Sequence, residues 1–174
     1  AKLAAHELVR VMRDGRGVHA CSVVTYNHES PRRPERFVTR KITRAAAAIA
    51  LGLEEELTLG DLRAVRDWCH AADVARAAWL MLQQDEPDDY ILAGGVGPTV
   101  GALVDAAFGC VGLDPDAHVR VDERLVRVSE RTPPVGDTTR ARERLGWELE
   151  TSFEAMIDEM VQADLAALAA GAAR

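Results

Sequence analysis

The chain has 174 residues, 48% of them hydrophobic and 28% charged, which supports one domain with a real core and excludes two large ones. The net charge of −7 argues against general nucleic-acid binding. No apolar run reaches the ~18 residues of a membrane span, and no secretory signal is visible. Three widely spaced cysteines, Cys21, Cys69 and Cys110, argue against a disulfide framework or metal site and fit a reducing cytoplasm. The chain opens on Ala1-Lys2 without a Met, as a processed chain or a fragment would.

In chain order, residues 2–13 read as a helix with Leu3, Leu8, Val9 and Met12 on its apolar side, ended by Gly15 and Gly17. Val18 to Tyr26, rich in Val and Thr, reads as a buried strand. Asn27 to Pro34 reads as a loop because of Pro31 and Pro34. A helix is expected from Thr39 to Leu51, stopped by Gly52. Leu57–Leu59 and Val65–Trp68 are candidate strands. His70–Gln84 is helical, and Tyr90–Ala93 is strand-like. A turn from Gly94 to Pro98 leads to a helix over Thr99–Phe108 with Thr99 as its cap. His118–Val121 is a weak strand, and Asp137–Leu145 a short helix closed by Gly146. Thr151 and Glu154 form a capping-box pattern for a last helix that buries Phe153, Met156, Ile157, Met160, Leu165 and Leu168. Strands alternating with helices give the α/β class. No repeat or low-complexity tract is present.

The charge is uneven. Arg32, Arg33, Arg36, Arg40, Lys41 and Arg44 crowd one segment against only Glu29 and Glu35. A local basic cluster on an acidic protein points to a small anionic ligand rather than a polyanion. Gly94-Gly95-Val96-Gly97 has the look of a phosphate loop, but it lacks the G-x-G-x-x-G spacing and reads better as a tight turn. The histidines show no metal-ligand spacing, and His70 reads as a packed or capping residue.

The stretch Asn27-His28-Glu29-Ser30-Pro31-Arg32-Arg33, followed by Phe37-Val38-Thr39-Arg40-Lys41-Ile42-Thr43-Arg44, resembles the signature of GDP-mannose 4,6-dehydratases, members of the extended short-chain dehydrogenase/reductase superfamily. Leu59-Gly60, Arg66-Asp67-Trp68, His70-Ala71 and Asp73, Trp79-Leu80-Met81-Leu82-Gln83, Gly136-Asp137-Thr138 and Leu145-Gly146-Trp147 agree in order and spacing. The resemblance implies the C-terminal, substrate-binding part of such an enzyme, with most of the Rossmann half absent. Residues 1–26 would be a remnant of the dinucleotide-binding domain, and residues 27–174 the nucleotide-sugar domain. Lys2 falls where the superfamily places a catalytic Lys four positions after a Tyr, and that Tyr would lie before Ala1. So would the Gly-rich loop and the family's catalytic Thr and Glu.

The implied reaction converts GDP-mannose to GDP-4-keto-6-deoxymannose, a lyase step in which NADP takes a hydride from C4 and returns it to C6. Lys2 would be catalytic: its charge lowers the pKa of the Tyr base, and its ammonium holds the nicotinamide ribose. His28 and Arg33 match positions that contact NADP, the guanidinium suiting phosphate. Asn27 would hydrogen-bond the sugar, while an Asn-His before Pro also suits a turn. Val38, Lys41, Leu59, Gly60, Arg66, Arg127 and Glu130 match positions around GDP. Lys41, Arg66 and Arg127 would supply cations for the diphosphate, and Glu130 an acceptor for ribose or guanine. Lys41 also lies near a helix N-terminus, which favours anions. For Lys41 and Arg66 a solvated or salt-bridged face is the alternative.

The sequence departs from the family pattern in places. Leu125 and Val126 stand at aromatic positions, Val128 replaces a Pro, Cys69 a Gly, Gly101 an Arg and Ala72 a Lys. These departures fit a divergent paralogue or a chain released from selection for activity. Because the resemblance puts the Tyr and the Gly-rich loop before Ala1, the chain is expected to be inactive alone and to require an N-terminal half or a second copy. The resemblance implies a homo-oligomer, with no nucleic-acid or membrane partner. Two further readings are a non-catalytic remnant that binds nucleotide sugars or a protein, and another nucleotide-sugar epimerase or dehydratase.

Overall fold

Strands in this protein are short and come in parallel pairs. The structure, a computed structural model, describes residues 1–126 and 134–172. β1 (Val23–Thr25) pairs with β5 (Tyr90–Leu92), β2 (Asn27–Glu29) with β4 (Trp68–His70), and β3 (Leu57–Leu59) with β6 (Val119–Val121). All three pairs are parallel, in the registers Val23↔Tyr90, Asn27↔Trp68 and Leu57↔Val119. Parallel partners need long crossovers, and the helices supply them: α1 (Lys2–Arg16), α2 (Val38–Ala50), α3 (Ala71–Met81), α4 (Val100–Gly109), the single turn α5 (Pro115–His118), α6 (Thr139–Leu145) and α7 (Phe153–Ala172).

Two apolar cores form. In the larger, α2, α4 and α7 pack with β3 and Trp68; Ile42, Leu103, Phe108, Ile157 and Met160 are wholly enclosed. The run Ala45–Ala48 on α2 lets neighbouring helices approach closely, and all four alanines are buried. Trp68 stacks on Phe153 at 6.0 Å between ring centroids. The smaller core joins α3, α6 and β5 around Trp147, whose Nε1–H donates to the Asp73 carbonyl at 2.9 Å.

Helix ends obey local chemistry. Thr99 caps α4 by accepting from Ala102 N–H, and Gly146 closes α6 at φ 60°, where only glycine is unstrained. His70 caps α3: Nδ1 accepts from Ala72 N–H at 3.2 Å, so the neutral ring carries its proton on Nε2, 3.0 Å from Glu159.

Four expectations need correction. The Asn27–Pro34 loop opens with β2, because the prolines begin only after Glu29 has paired with His70. The second candidate strand starts at Trp68; Val65 makes only an isolated antiparallel bridge to Thr99. Ser152, not Thr151, caps α7: its Oγ accepts from Ala155 N–H, while Thr151 N–H donates to Asp73. The buried strand expected over Val18–Tyr26 shrinks to β1, and all three of its residues are exposed. α1 likewise buries no residue, and Leu3, Leu8, Val11 and Met12 face outward. Polar contacts hold it instead. Arg13 grips Asp89 through two hydrogen bonds of 2.8 and 3.1 Å, and His6 meets Ser22 at 3.0 Å.

Candidate functional site

The first group of expected residues lies where α2 meets the β3–β6 pair. α2 starts without a side-chain cap and with no acidic residue in its first turn, leaving amide N–H groups open to an anion. Val38 and Lys41 stand on that turn, both exposed. The Lys41 ammonium donates to the Thr58 carbonyl at 2.6 Å, which draws it over β3. Leu59 is buried in β3, and its carbonyl accepts from Asp122 N–H at 2.8 Å. At Gly60 a β-carbon would lie 2.8 Å from the Leu125 carbonyl. Glycine therefore admits the chain at Leu125 and Val126, whose side chains are exposed. Lys41, Leu59, Gly60 and this stretch thus form one continuous edge.

Arg66 sits at the far end of the same loop. Its N–H donates to the Pro98 carbonyl at 3.1 Å, and its guanidinium donates to the Val65 carbonyl at 2.6 Å. Val65 approaches Gly97, as does Val135. The chain therefore leaves Gly60 at Leu125 and returns beside Val65 at Val135. Arg127 and Glu130, expected between these points, lie outside the described residues, as does Val128.

The second group surrounds β2. Asn27 Nδ2 donates to the Asp67 carbonyl at 2.9 Å. His28 Nδ1 lies 3.1 Å from the Tyr26 carbonyl, an acceptor only, so Nδ1 carries the proton and Nε2 is left as an acceptor in the neutral ring. Glu29 is 2% exposed; it accepts from Thr39 Oγ1 at 2.7 Å and lies 3.2 Å from Arg33 Nε. Burial pushes the Glu29 carboxyl above its ordinary value, against the opposing pull of the Thr39 hydroxyl and Arg33. Arg33 also lies over the Phe37 ring at 3.6 Å. With Nε turned to Glu29, its two terminal nitrogens have no hydrogen-bond partner among the described residues. That geometry suits one paired contact to an anion. Lys2 is the first residue of α1, is exposed, and makes no hydrogen bond or ion pair among the described residues.

Sequence reasoning singled out Asp67 only as part of a motif. It is fully buried, and its carboxylate accepts from the N–H groups of Gly94, Gly95 and Gly136. The Gly94–Gly97 segment is therefore a turn whose first two amides are spent on Asp67. Cys69, beside His28 in the register, is buried with its thiol pushed up to about 12 by desolvation first and then by Asp67, Asp73 and Glu29. A thiol so protonated is no nucleophile. A cavity of about 430 Å³ lies elsewhere, lined by Arg13, Asp14, His19, Asp85 and Glu86, and contains none of the expected residues. Among the described residues no cluster of His, Cys, Asp and Glu could hold a metal, and no helix is long and apolar enough to cross a membrane.

The fold is that of extended short-chain dehydrogenase/reductases. Solved structures that share it include RMD from Pseudomonas aeruginosa complexed with NADPH (TM-score 0.83, 21% identity, 95% of this chain and 54% of that one). Another is the dTDP-glucose 4,6-dehydratase from Bacillus anthracis in complex with NAD (TM-score 0.73, 18% identity, 91% and 49%). The chain belongs to the GDP-mannose 4,6 dehydratase family, whose model matches residues 1–160. It is similar to GDP-mannose 4,6 dehydratase 1 of Arabidopsis thaliana (46% identity, 95% of this chain and 46% of the relative). It is also similar to the GDP-mannose 4,6-dehydratase of Sinorhizobium fredii (45% identity, 97% and 53%). The chain spans about half the length of the curated relatives it matches.

Proposed function

We propose that this chain is the nucleotide-sugar-binding part of a GDP-mannose 4,6-dehydratase and turns over substrate only with an N-terminal, cofactor-binding half. The observation that carries the reading is the continuous edge from Lys41 through Leu59 and Gly60 to Leu125, in a chain 46% identical to a plant enzyme of that name. The uncapped start of α2 and the Lys41 ammonium would take the diphosphate. Arg66 and Arg127 would add charge, and Glu130 would accept from ribose or guanine. Val38 and the exposed Leu125 and Val126 would offer apolar surface to the base or sugar, and Asn27 a contact to the sugar.

The cofactor is NADP in this reading, and it supplies hydride acceptance at C4 and return at C6. Of this chain's residues, Arg33 has guanidinium nitrogens to spare for a phosphate. Neutral His28 offers Nε2 to a hydroxyl or amide donor rather than to phosphate. Lys2 would work only beside a Tyr from an N-terminal, cofactor-binding half. The compartment is the cytoplasm, and the exposed apolar face of α1 and β1 is where the second half, or a second copy, docks.

Thermal-shift measurements with GDP, UDP and dTDP test the nucleotide class: GDP raises the melting temperature and the others do not. Mixing the chain with a separately made N-terminal half and assaying for a 4-keto sugar tests the enzymatic reading. Binding of GDP without 4-keto product would favour a non-catalytic nucleotide-sugar binder, and a preference for UDP or dTDP another epimerase or dehydratase.

A further inference from the structure

Asp67 is the point at which four segments of this protein meet. Its carboxylate is 0% exposed and is held by backbone amides alone among the described residues. One oxygen accepts from Gly94 N–H, the other from Gly95 and Gly136 N–H, both at 3.0 Å. Its own carbonyl accepts the Asn27 side chain. The glycines belong to the same device. A β-carbon on Gly94 would lie 2.4 Å from the Trp68 carbonyl, and one on Gly136 2.4 Å from Ala93 Cβ and 3.0 Å from the Tyr26 ring. Any side chain at either place would lever the amide off the carboxylate.

The elements tied together are those that carry the expected ligand contacts. Arg66 directly precedes Asp67. Asn27 hangs from its carbonyl. Gly136 follows Val135, which meets Val65, the neighbour of Arg66, beside Gly97. We propose that Asp67 is a positioning residue for the nucleotide sugar: it sets Arg66 and Asn27 in fixed relation, through the turn at Gly94–Gly95 and the backbone at Gly136, without touching the ligand. This rests on the nucleotide-sugar reading above. Changing the carboxylate to an amide places an NH2 among three N–H donors, so at least one buried donor loses its acceptor and the segments separate.

The test is titration of this chain with GDP by calorimetry, beside hydrogen exchange at the Gly94, Gly95 and Gly136 amides. In the parent chain all three amides are protected. In Asp67→Asn they exchange freely, and GDP affinity falls about tenfold or more. Asp73→Asn is the control. Asp73 is another buried carboxylate, accepting from Glu150 and Thr151 N–H, and its loss lowers the melting temperature while GDP affinity stays within about twofold. Asp67→Glu, which keeps the charge but displaces it by one methylene, carries the same expectation if Asp67→Asn does not fold. A folded Asp67 variant that binds GDP like the parent overturns the positioning role and leaves the nucleotide reading standing. A parent chain that ignores GDP overturns both.

Discussion

Arg40 on α2 and Asp164 on α7 form a largely buried ion pair: Nη2 lies 2.6 Å from a carboxylate whose side chain is 2% exposed, and the Arg40 side chain is 14% exposed. Thr43 Oγ1 donates to the other oxygen at 2.8 Å. Arg40 also donates to the Pro31 and Arg33 carbonyls, so the pair anchors the loop that presents Arg33. Asp164→Ala strands a buried guanidinium and is expected to cost about 3 kcal/mol, read from urea unfolding. A loss below about 1 kcal/mol would mean that water reaches the pair.

Lys41 is exposed and bonded only to a carbonyl, so its removal hardly touches the core. Lys41→Ala is expected to leave stability within about 0.5 kcal/mol while GDP affinity falls about tenfold. Calorimetric titration and thermal melting of the variant separate the two effects.

Glu29 makes the fold respond to pH. Its folded pKa is raised, chiefly by burial, so its contribution to stability is full below the unfolded value, about 4.3, and is lost as pH rises through the folded one. The melting temperature of the parent minus that of Glu29→Gln should therefore be largest in acid and decline toward neutrality. A difference that is flat or rises with pH contradicts this assignment.

The outward apolar face of α1 predicts association. Leu8 is 61% exposed, Val11 63% and Leu3 72%, a density of apolar surface that a lone chain covers poorly. Sedimentation velocity should show concentration-dependent oligomers, and Leu8→Lys with Val11→Lys should return the chain to monomers. A stable monomer at high concentration would refute it.

Helices and their ends were legible in the sequence because they answer to local rules. The apolar spacing at Ile42, Ala45, Ala46 and Ile49, the Thr99 cap and the Gly146 stop all stand as read. Strands were legible only as β-prone runs, since each is three residues long and is defined by a partner far along the chain. β2 escaped notice because pairing with β4, not its own composition, makes it a strand. The exposure of β1 reflects what a single chain can cover, which no run of Val and Thr reveals. The candidate site divides in the same way. Family-like motifs named Lys41, Gly60 and Arg66. The hub at Asp67 depends on amides 27 and 69 residues away, a convergence that exists only in three dimensions. Asp67 and Gly136 each stood in a family-like motif, but nothing in either motif joined them.

The depth at which Cys69 is enclosed turns this residue into an internal clock. Packed in β4 with Sγ 3.8 Å from the Asn27 carbonyl, it is shielded from an alkylating reagent while β2 and β4 remain joined. Cys21 and Cys110 are each partly open. Slow labelling at Cys69, following faster labelling at the other two, would time how often the strand bearing Asn27 and His28 peels away from its neighbour.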